Sequence, residues 1–270
     1  MPSWLRRGET LAVVMLSVVL VAALIGPLLS PYSSIIPSGA PHLPPLSAGH
    51  LFGTDELGLD IATRILEGTR TSLLTALVVT VIAAVAGMLI GTLAGFVGGV
   101  LDTVLMRVTD LFLALPATIV AMAVAAGLGT GLTSSMIAIT VVWWPLYARL
   151  VRGEVRRTAR ALHVEAARMS GTRGTRLVLR HVLPSVLPTV AVTASLDIGG
   201  VIVTVAALSF VGLGAPAPAP ELGLMASAGL QYVVNSWWIP VLPGLAVGLL
   251  SLLFNYAGDG LRAVLRGKGA

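Results

Sequence analysis

The sequence contains no cysteine, which excludes disulfides, thiol catalysis and thiolate metal ligands. Charge is also scarce, because only 11% of the 270 residues are charged while 56% are hydrophobic. With a mean hydropathy of +0.94, the chain has too little polar material to cover a water-soluble domain of this size. We therefore predict an all-α integral membrane protein, with lipid as the solvent for most of its length.

Motifs for catalysis and nucleotide binding are missing as well. The one lysine is Lys268, so the chain has no G-x-x-x-x-G-K-[ST] phosphate loop. It has no H-E-x-x-H or G-x-S-x-G motif, and its four histidines are dispersed. His42 and His50 lie in a proline-rich loop, where we expect solvated side chains rather than metal ligands. The chain is predicted to be no enzyme, with no catalytic residue, metal site or cofactor of its own.

Six apolar segments approach the length of about 20 residues that a helix needs to cross a bilayer. They are 11–29, 73–97, a span from near Leu111 to a turn at 127–133, a span from that turn to near Ala148, 186–211 and 239–257. The first follows Arg6 and Arg7 as a signal peptide would, but its length and the lack of an A-x-A site favour a retained anchor. Pro116 and Pro145 are expected to kink the third and fourth spans.

The basic residues orient these spans. Fifteen of the 17 Lys and Arg residues fall on one side, and only Arg64 and Arg70 fall on the other. The positive-inside rule then places both termini in the cytoplasm, and it explains the net charge of +5 without any nucleic-acid partner. We predict four parts along the chain. The cytoplasmic N-terminus and first transmembrane helix occupy 1–30, and an extracytoplasmic segment follows at 31–72. The core with the other five spans is 73–262, including a cytoplasmic loop at 151–185, and the cytoplasmic tail is 263–270.

A few polar and small residues stand out within the spans. Asp197 is the one acid deep inside a span, so it is either a pathway residue or a hydrogen-bonded structural group. Gly87, Gly91 and Gly95 recur every fourth residue, which predicts one helix face where a neighbour approaches closely. Three charged residues at the inner end of the third span are expected to form local pairs: Asp102, Arg107 and Asp110.

The loop between the fourth and fifth spans has an amphipathic pattern. Apolar residues recur at helical spacing from Val155 to Met169, through Ala159, Leu162 and Ala166. We predict a helix that ends at a left-handed Gly171, followed by a second helix up to Pro184. Two interpretations remain open. The loop either contacts lipid headgroups through its arginines or docks into a groove on a cytoplasmic partner.

Several motifs resemble those of a known family. Glu165-Ala166-Ala167, followed by Gly171 and Leu183-Pro184, resembles the EAA loop of ABC importer permeases. GTDELGLD (53–60), ALSFVGLG (207–214) and FNYAGDGLR (254–262) resemble blocks of its dipeptide, oligopeptide and nickel branch. Leu59 departs from the arginine of the GTDxLGRD block, so any ion pair made by that arginine is absent here.

The resemblance implies a type I importer permease fold and a C-type, second permease subunit in the bacterial or archaeal cytoplasmic membrane. Its implied partners are membrane lipid, a B-type permease, one or two ATPase subunits that carry ATP and Mg²⁺, and an extracytoplasmic substrate-binding protein. The residues it assigns to ATPase docking are Leu162, Glu165, Ala166, Ala167, Met169 and Gly171. Asp55, Glu56 and Asp60 would face the binding protein.

The resemblance leaves two substrate classes open. Di- and oligopeptides are favoured, while 129–139 and 195–200 are similar to nickel-type members, which makes nickel or a metal chelate the alternative. A hypothesis of another class is an ion-coupled secondary transporter that works alone, with Asp197 as the proton or cation carrier.

Overall fold

The computed structural model describes the backbone of residues 3–47 and 49–267 and the side chains of 14–47 and 49–262. This part of the chain is helical, and its only extended pairings are two isolated bridges. Its α-helices are α1 Ser3–Leu29, α2 Ile61–Val97, α3 Gly99–Ala114, α4 Ala117–Leu128, α5 Leu132–Thr158, α6 Leu162–Met169, α7 Gly174–Leu177, α8 Leu183–Phe210, α9 Leu222–Gly229 and α10 Trp238–Gly267. A π-helical turn, Val178–Val182, joins α7 to α8, and a 3₁₀ turn, Leu230–Tyr232, follows α9.

Four long helices are apolar enough to cross a membrane: α2, α5, the continuous helix Gly174–Phe210, and α10. The bent pair α3 and α4 makes a fifth span if the two are counted together. The side chains of α1 are described from Val14 onward, and this described part, Val14–Leu29, is an apolar helix shorter than the four above. Six spans with cytoplasmic termini therefore stay a prediction, and residues 1–2 and 268–270 lie outside the described residues.

The predicted third span is divided by a sharp bend. Helices α3 and α4 meet at 92°, and Leu115 between them is extended, with φ −102° and ψ 148°. Pro116 accounts for the break, because a proline disfavours the helical conformation of the residue before it. Pro145, by contrast, lies inside the uninterrupted α5.

Helices α2 and α5 pack most closely where α2 carries its glycines. A Cβ atom placed on Gly87 would lie 2.6 Å from the carbonyl oxygen of Trp144, and one on Gly91 would lie 2.4 Å from that of Ala148. Gly95 meets the backbone of Arg152 in the same way. The close approach predicted from the glycine spacing is confirmed, and the apolar cluster that contains Ala83 of α2, Val151 of α5 and Val186 of α8 lies beside it.

The segment before α2, which we predict to face outward and call the outward segment, folds over the helix ends where α2 and α10 begin. Trp238 at the start of α10 donates its indole N–H to the Thr54 carbonyl over 3.4 Å, and it shares an apolar cluster with Ile61 and Ile239. Gly53 and Gly58 have φ near +77° and +76°, and a Cβ on either would press within 2.3 Å of a backbone oxygen. The GTDELGLD motif is therefore a compact turn that holds the start of α2.

Candidate functional site

The predicted helix from Val155 to Met169 is two helices, so the prediction of one continuous stripe is wrong. Helix α5 ends at Thr158 and α6 begins at Leu162, with Ala161 extended between them. Val155 is fully buried on α5, against the position of Gly95. This turn contains no glycine or proline, and the apolar residues keep a helical spacing across it. The break between the two helices therefore could not be predicted from the sequence.

Helix α6 has one buried face and one exposed apolar face. Val164 is fully buried and packs in a cluster with Val151 and Leu177. Leu162 and Met169 are 85% and 89% exposed. Positions seven residues apart share a helix face, and the exposed Glu165 and Ala166 lie between them on that face, while Ala167 packs partly inward.

The end of α6 is fixed by Gly171, which has φ +86°. The Gly171 N–H donates to the Arg168 carbonyl and the Thr172 N–H to the Ala167 carbonyl, both over 3.0 Å. These two bonds form the Schellman motif, in which a left-handed residue satisfies the last carbonyls of a helix. The left-handed glycine predicted from the sequence is confirmed.

A set of long-range ion pairs joins α3 to α5 beside this helix. Asp102 accepts hydrogen bonds from Arg152, one of them over 2.8 Å, and from Arg156 over 2.5 Å. Asp110 pairs with Arg149. The prediction that Asp102 and Asp110 form local pairs is wrong, because their partners lie about fifty and forty residues away on the neighbouring helix. Sequence spacing within one helix end could not show this pairing.

Asp197, the candidate pathway residue, lies in the interior of α8 and is half-buried. Its carboxylate lies near the hydroxyl of Tyr147, a fully buried side chain on α5. Neither Asp197 Oδ2 nor Tyr147 Oη has a hydrogen-bond partner within the described residues. A buried carboxylate oxygen without such a bond is costly, so Asp197 stays a candidate pathway residue.

The outward candidates differ in their surroundings. Asp55 is buried, accepts the N–H groups of Leu57 and Leu59 over 2.9 Å, and lies 3.4 Å from the Arg64 guanidinium. Asp60 is also buried and caps α2. Glu56 is the half-exposed member of the three, so it alone has a partly accessible side chain for a partner.

The two outward histidines are bonded rather than free in solvent, contrary to expectation. His50 is 3% exposed, and its Nδ1 lies 2.8 Å from Asp60 Oδ1. The Nδ1 atom of His42 lies 3.2 Å from the Ser236 hydroxyl oxygen. Among the described residues, no group of three or more His, Asp or Glu side chains is arranged to hold a metal ion.

Sequence reasoning missed Glu221, a fully buried carboxylate at the start of α9. It accepts the N–H groups of Gly223 and Leu224 over 3.1 and 2.8 Å, as an N-cap does. Burial raises the pKa of Glu221, although these two hydrogen bonds oppose the rise. Its sequence signal is the acid directly before an apolar helix, after the run of prolines at 216–220.

Comparison with known proteins identifies the family. The family described as binding-protein-dependent transport system inner membrane component matches residues 87–268. The chain belongs to this family. It is accordingly a multi-pass membrane protein and a transport subunit, in agreement with the resemblance of its motifs.

Relatives in the family are similar over most of the chain. The probable D,D-dipeptide transport system permease protein DdpC of Escherichia coli K12 is 40% identical over 270 residues, 98% of this chain and 90% of that protein. The dipeptide transport system permease protein DppC of the same strain is 44% identical over 222 residues, 82% of this chain and 74% of its own length.

A solved structure supports the fold. The MetNI methionine ABC transporter in an inward-facing conformation aligns with a TM-score of 0.61 at 22% identity, covering 76% of this chain and 97% of the other. This likeness establishes that the helices adopt the type I importer permease fold.

Proposed function

We propose that this chain is one of two permease subunits of an ATP-driven importer, and that α6 docks into a separate ATPase subunit. The observation that carries the proposal is the apolar face of α6, where Leu162 and Met169 stand almost fully exposed on a helix anchored by the buried Val164. Exposed apolar side chains on a fixed helix are typical of helix-in-groove recognition. The remaining docking residues are Glu165 and Ala166 on that face, the partly buried Ala167, and Gly171, which fixes the helix end.

The finer topology belongs to the same proposal. Six spans with both termini in the cytoplasm place α6 and the arginine-rich turn on the cytoplasmic side, as the positive-inside rule requires. A second, B-type permease completes the pathway, and an extracytoplasmic binding protein approaches near Glu56. ATP and Mg²⁺ are held by the ATPase partners.

The proposed substrate class is di- and oligopeptides. Support comes from DdpC and DppC, whose names describe D,D-dipeptide and dipeptide transport. Their similarity covers the spans and the outward segment together, because the alignment with DdpC extends over 98% of this chain.

The fold suggests how ATPase movement reaches the membrane. Val164 on α6 shares its cluster with Val151 of α5 and Val186 of α8. A push on α6 therefore acts on two long helices at once. ATP shifts the equilibrium between inward and outward access only as far as it favours one conformation of the ATPases over the other.

The docking proposal predicts that charges on the exposed face prevent assembly. We expect a Leu162→Asp/Met169→Asp variant to lose its ATPase subunits on purification. If each side chain fills a pocket worth about 2 kcal/mol, binding weakens about thirtyfold per residue. The measurement is co-purification of the ATPases with the membrane subunits, followed by ATPase activity in proteoliposomes.

His163→Asp is the matched control. His163 is exposed on the same short helix, but it points about 100° away from Leu162. This variant should retain its ATPases and their activity. Normal assembly of the double variant would contradict docking through this face.

A further inference from the structure

A basic cavity opens at the inner end of α2, beside the turn between α5 and α6. It is lined by Gly95, Arg156, Ala159, Arg160 and Arg168. The three arginines come from the end of α5, the turn after it and α6, so the cavity forms where three parts of the loop meet α2. No acidic side chain is among its described lining residues.

The charges around this cavity are not balanced. Asp102 neutralises part of Arg156, but it also accepts hydrogen bonds from Arg152. The side chains of Arg160 and Arg168 make no hydrogen bond or ion pair with any described residue. Two unpaired guanidinium groups around one cavity match the charge and the hydrogen-bonding needs of a phosphate-like anion.

An apolar groove begins one residue further along α2, at Phe96. Its walls are α2 residues such as Leu89 and Leu93 on one side, and Val178, Leu179 and Leu183 of the α7–α8 junction on the other. Leu89 and Leu179 are each 65% exposed. The groove therefore adjoins the basic cavity at neighbouring residues of α2, Gly95 and Phe96, and runs back along α2 as far as Met88.

We propose that the cavity and the groove together bind one anionic phospholipid of the cytoplasmic leaflet. The phosphate lies between Arg160 and Arg168, and an acyl chain occupies the groove. Charge complementarity selects an anionic headgroup, and the adjoining groove selects a lipid over a free anion. The proposal rests on the cytoplasmic placement of this loop proposed above, and it makes the lipid a brace between α2 and the docking helix.

Native mass spectrometry of the purified full-length protein tests the site, with phosphatidylglycerol and phosphatidylcholine of identical acyl chains as probes. Wild type should retain phosphatidylglycerol in preference to phosphatidylcholine. Arg160→Gln and Arg168→Gln should each weaken retention of phosphatidylglycerol about fivefold, and the double variant about thirtyfold. Equal concentrations of sn-glycerol 3-phosphate or inorganic phosphate should displace little of the lipid.

The matched control is Arg173→Gln/Arg176→Gln, which removes two exposed arginines of the same loop that lie outside the cavity. This control should bind phosphatidylglycerol as wild type does. An equal loss in both double variants would overturn the site, as would equal retention of the two lipids by wild type. Complete displacement by free phosphate would show an anion site without a lipid.

Lipid retention is measured independently of transport, so failure of the lipid site can be distinguished from failure of the proposed function. Loss of ATP-driven uptake with lipid binding intact would count against the proposed function alone. Equal retention of the two lipids by wild type, with docking and uptake intact, would count against the lipid site alone.

Discussion

Glu221 shows how a single side chain couples the outward segment to pH. Its carboxylate has no exposed surface and lies at the start of α9. That helix packs closely on α8, because a Cβ on Gly223 would lie 2.3 Å from the Ala206 carbonyl oxygen. An ionised carboxylate here is desolvated, and two backbone N–H groups offset only part of the cost.

We expect Glu221 to make the fold less stable as pH rises. Burial raises its pKa above the ordinary value of 4.5, so the folded protein holds this proton more tightly than the unfolded chain does. The stability from this group is fully present below pH 4.5 and is lost as pH rises through the raised pKa. The melting temperature of Glu221→Gln in detergent should therefore rise relative to wild type across that window.

Glu165→Gln is the control variant, because it also removes one carboxylate but at an exposed position. Its melting temperature relative to wild type should not follow the Glu221→Gln trend with pH. A constant difference between Glu221→Gln and wild type from pH 4.5 upward would contradict the prediction.

Helix α6 depends on the way in which it ends. Gly171 occupies the left-handed region at φ +86° in open space, so a side chain there meets no steric neighbour but strains the backbone. We expect Gly171→Val to cost at least about 1–2 kcal/mol, the penalty of a left-handed conformation, concentrated in the turn after α6. The expected result is ATPase activity that continues while uptake per ATP falls, measured in proteoliposomes.

Gly153→Ala serves as the control for Gly171→Val. Gly153 also lies in open space, but within α5 and without a positive φ. Alanine is favoured there by helix propensity, so this variant should couple ATPase activity to uptake as wild type does. Normal coupling in Gly171→Val would show that the turn does not transmit the ATPase movement.

Helices and their contacts could be predicted from the sequence where a local pattern of residues determines them. The exposed face of α6 could be predicted from the Glu165–Gly171 motif, and the close approach of a neighbouring helix to α2 from the glycine spacing, although the spacing did not identify that neighbour as α5. The start of α2 at Ile61 could not be predicted from hydropathy, because its first turns contain Thr63 and Arg64, polar residues buried by the outward segment. The pairing of Asp102 with Arg152 likewise depends on the tertiary packing of α3 against α5.

At the scale of the whole molecule, the half-buried Asp197 lies where α5 and α8 meet. Tyr147 also packs against Gly87 of α2, where a Cβ would lie 2.4 Å from the tyrosine Cβ. Asp197 therefore stands next to three long helices that must rearrange if access alternates between the two sides of the membrane. A substitution of Asp197 therefore distinguishes the hypothesis of an ATP-driven importer from that of an ion-coupled carrier.

We expect the complete importer with Asp197→Asn to retain ATP-driven uptake of a labelled dipeptide. If the carboxylate lines the pathway, the rate of ATP-driven uptake falls in Asp197→Asn. Tyr147→Phe leaves the carboxylate in place, so it should change this rate less. Proteoliposomes with the complete complex measure both variants, with ATP and with a proton gradient alone. A carrier gives the opposite pattern, because uptake then needs no ATP and Asp197→Asn abolishes it. Uptake of radioactive nickel instead of the dipeptide would favour the metal alternative.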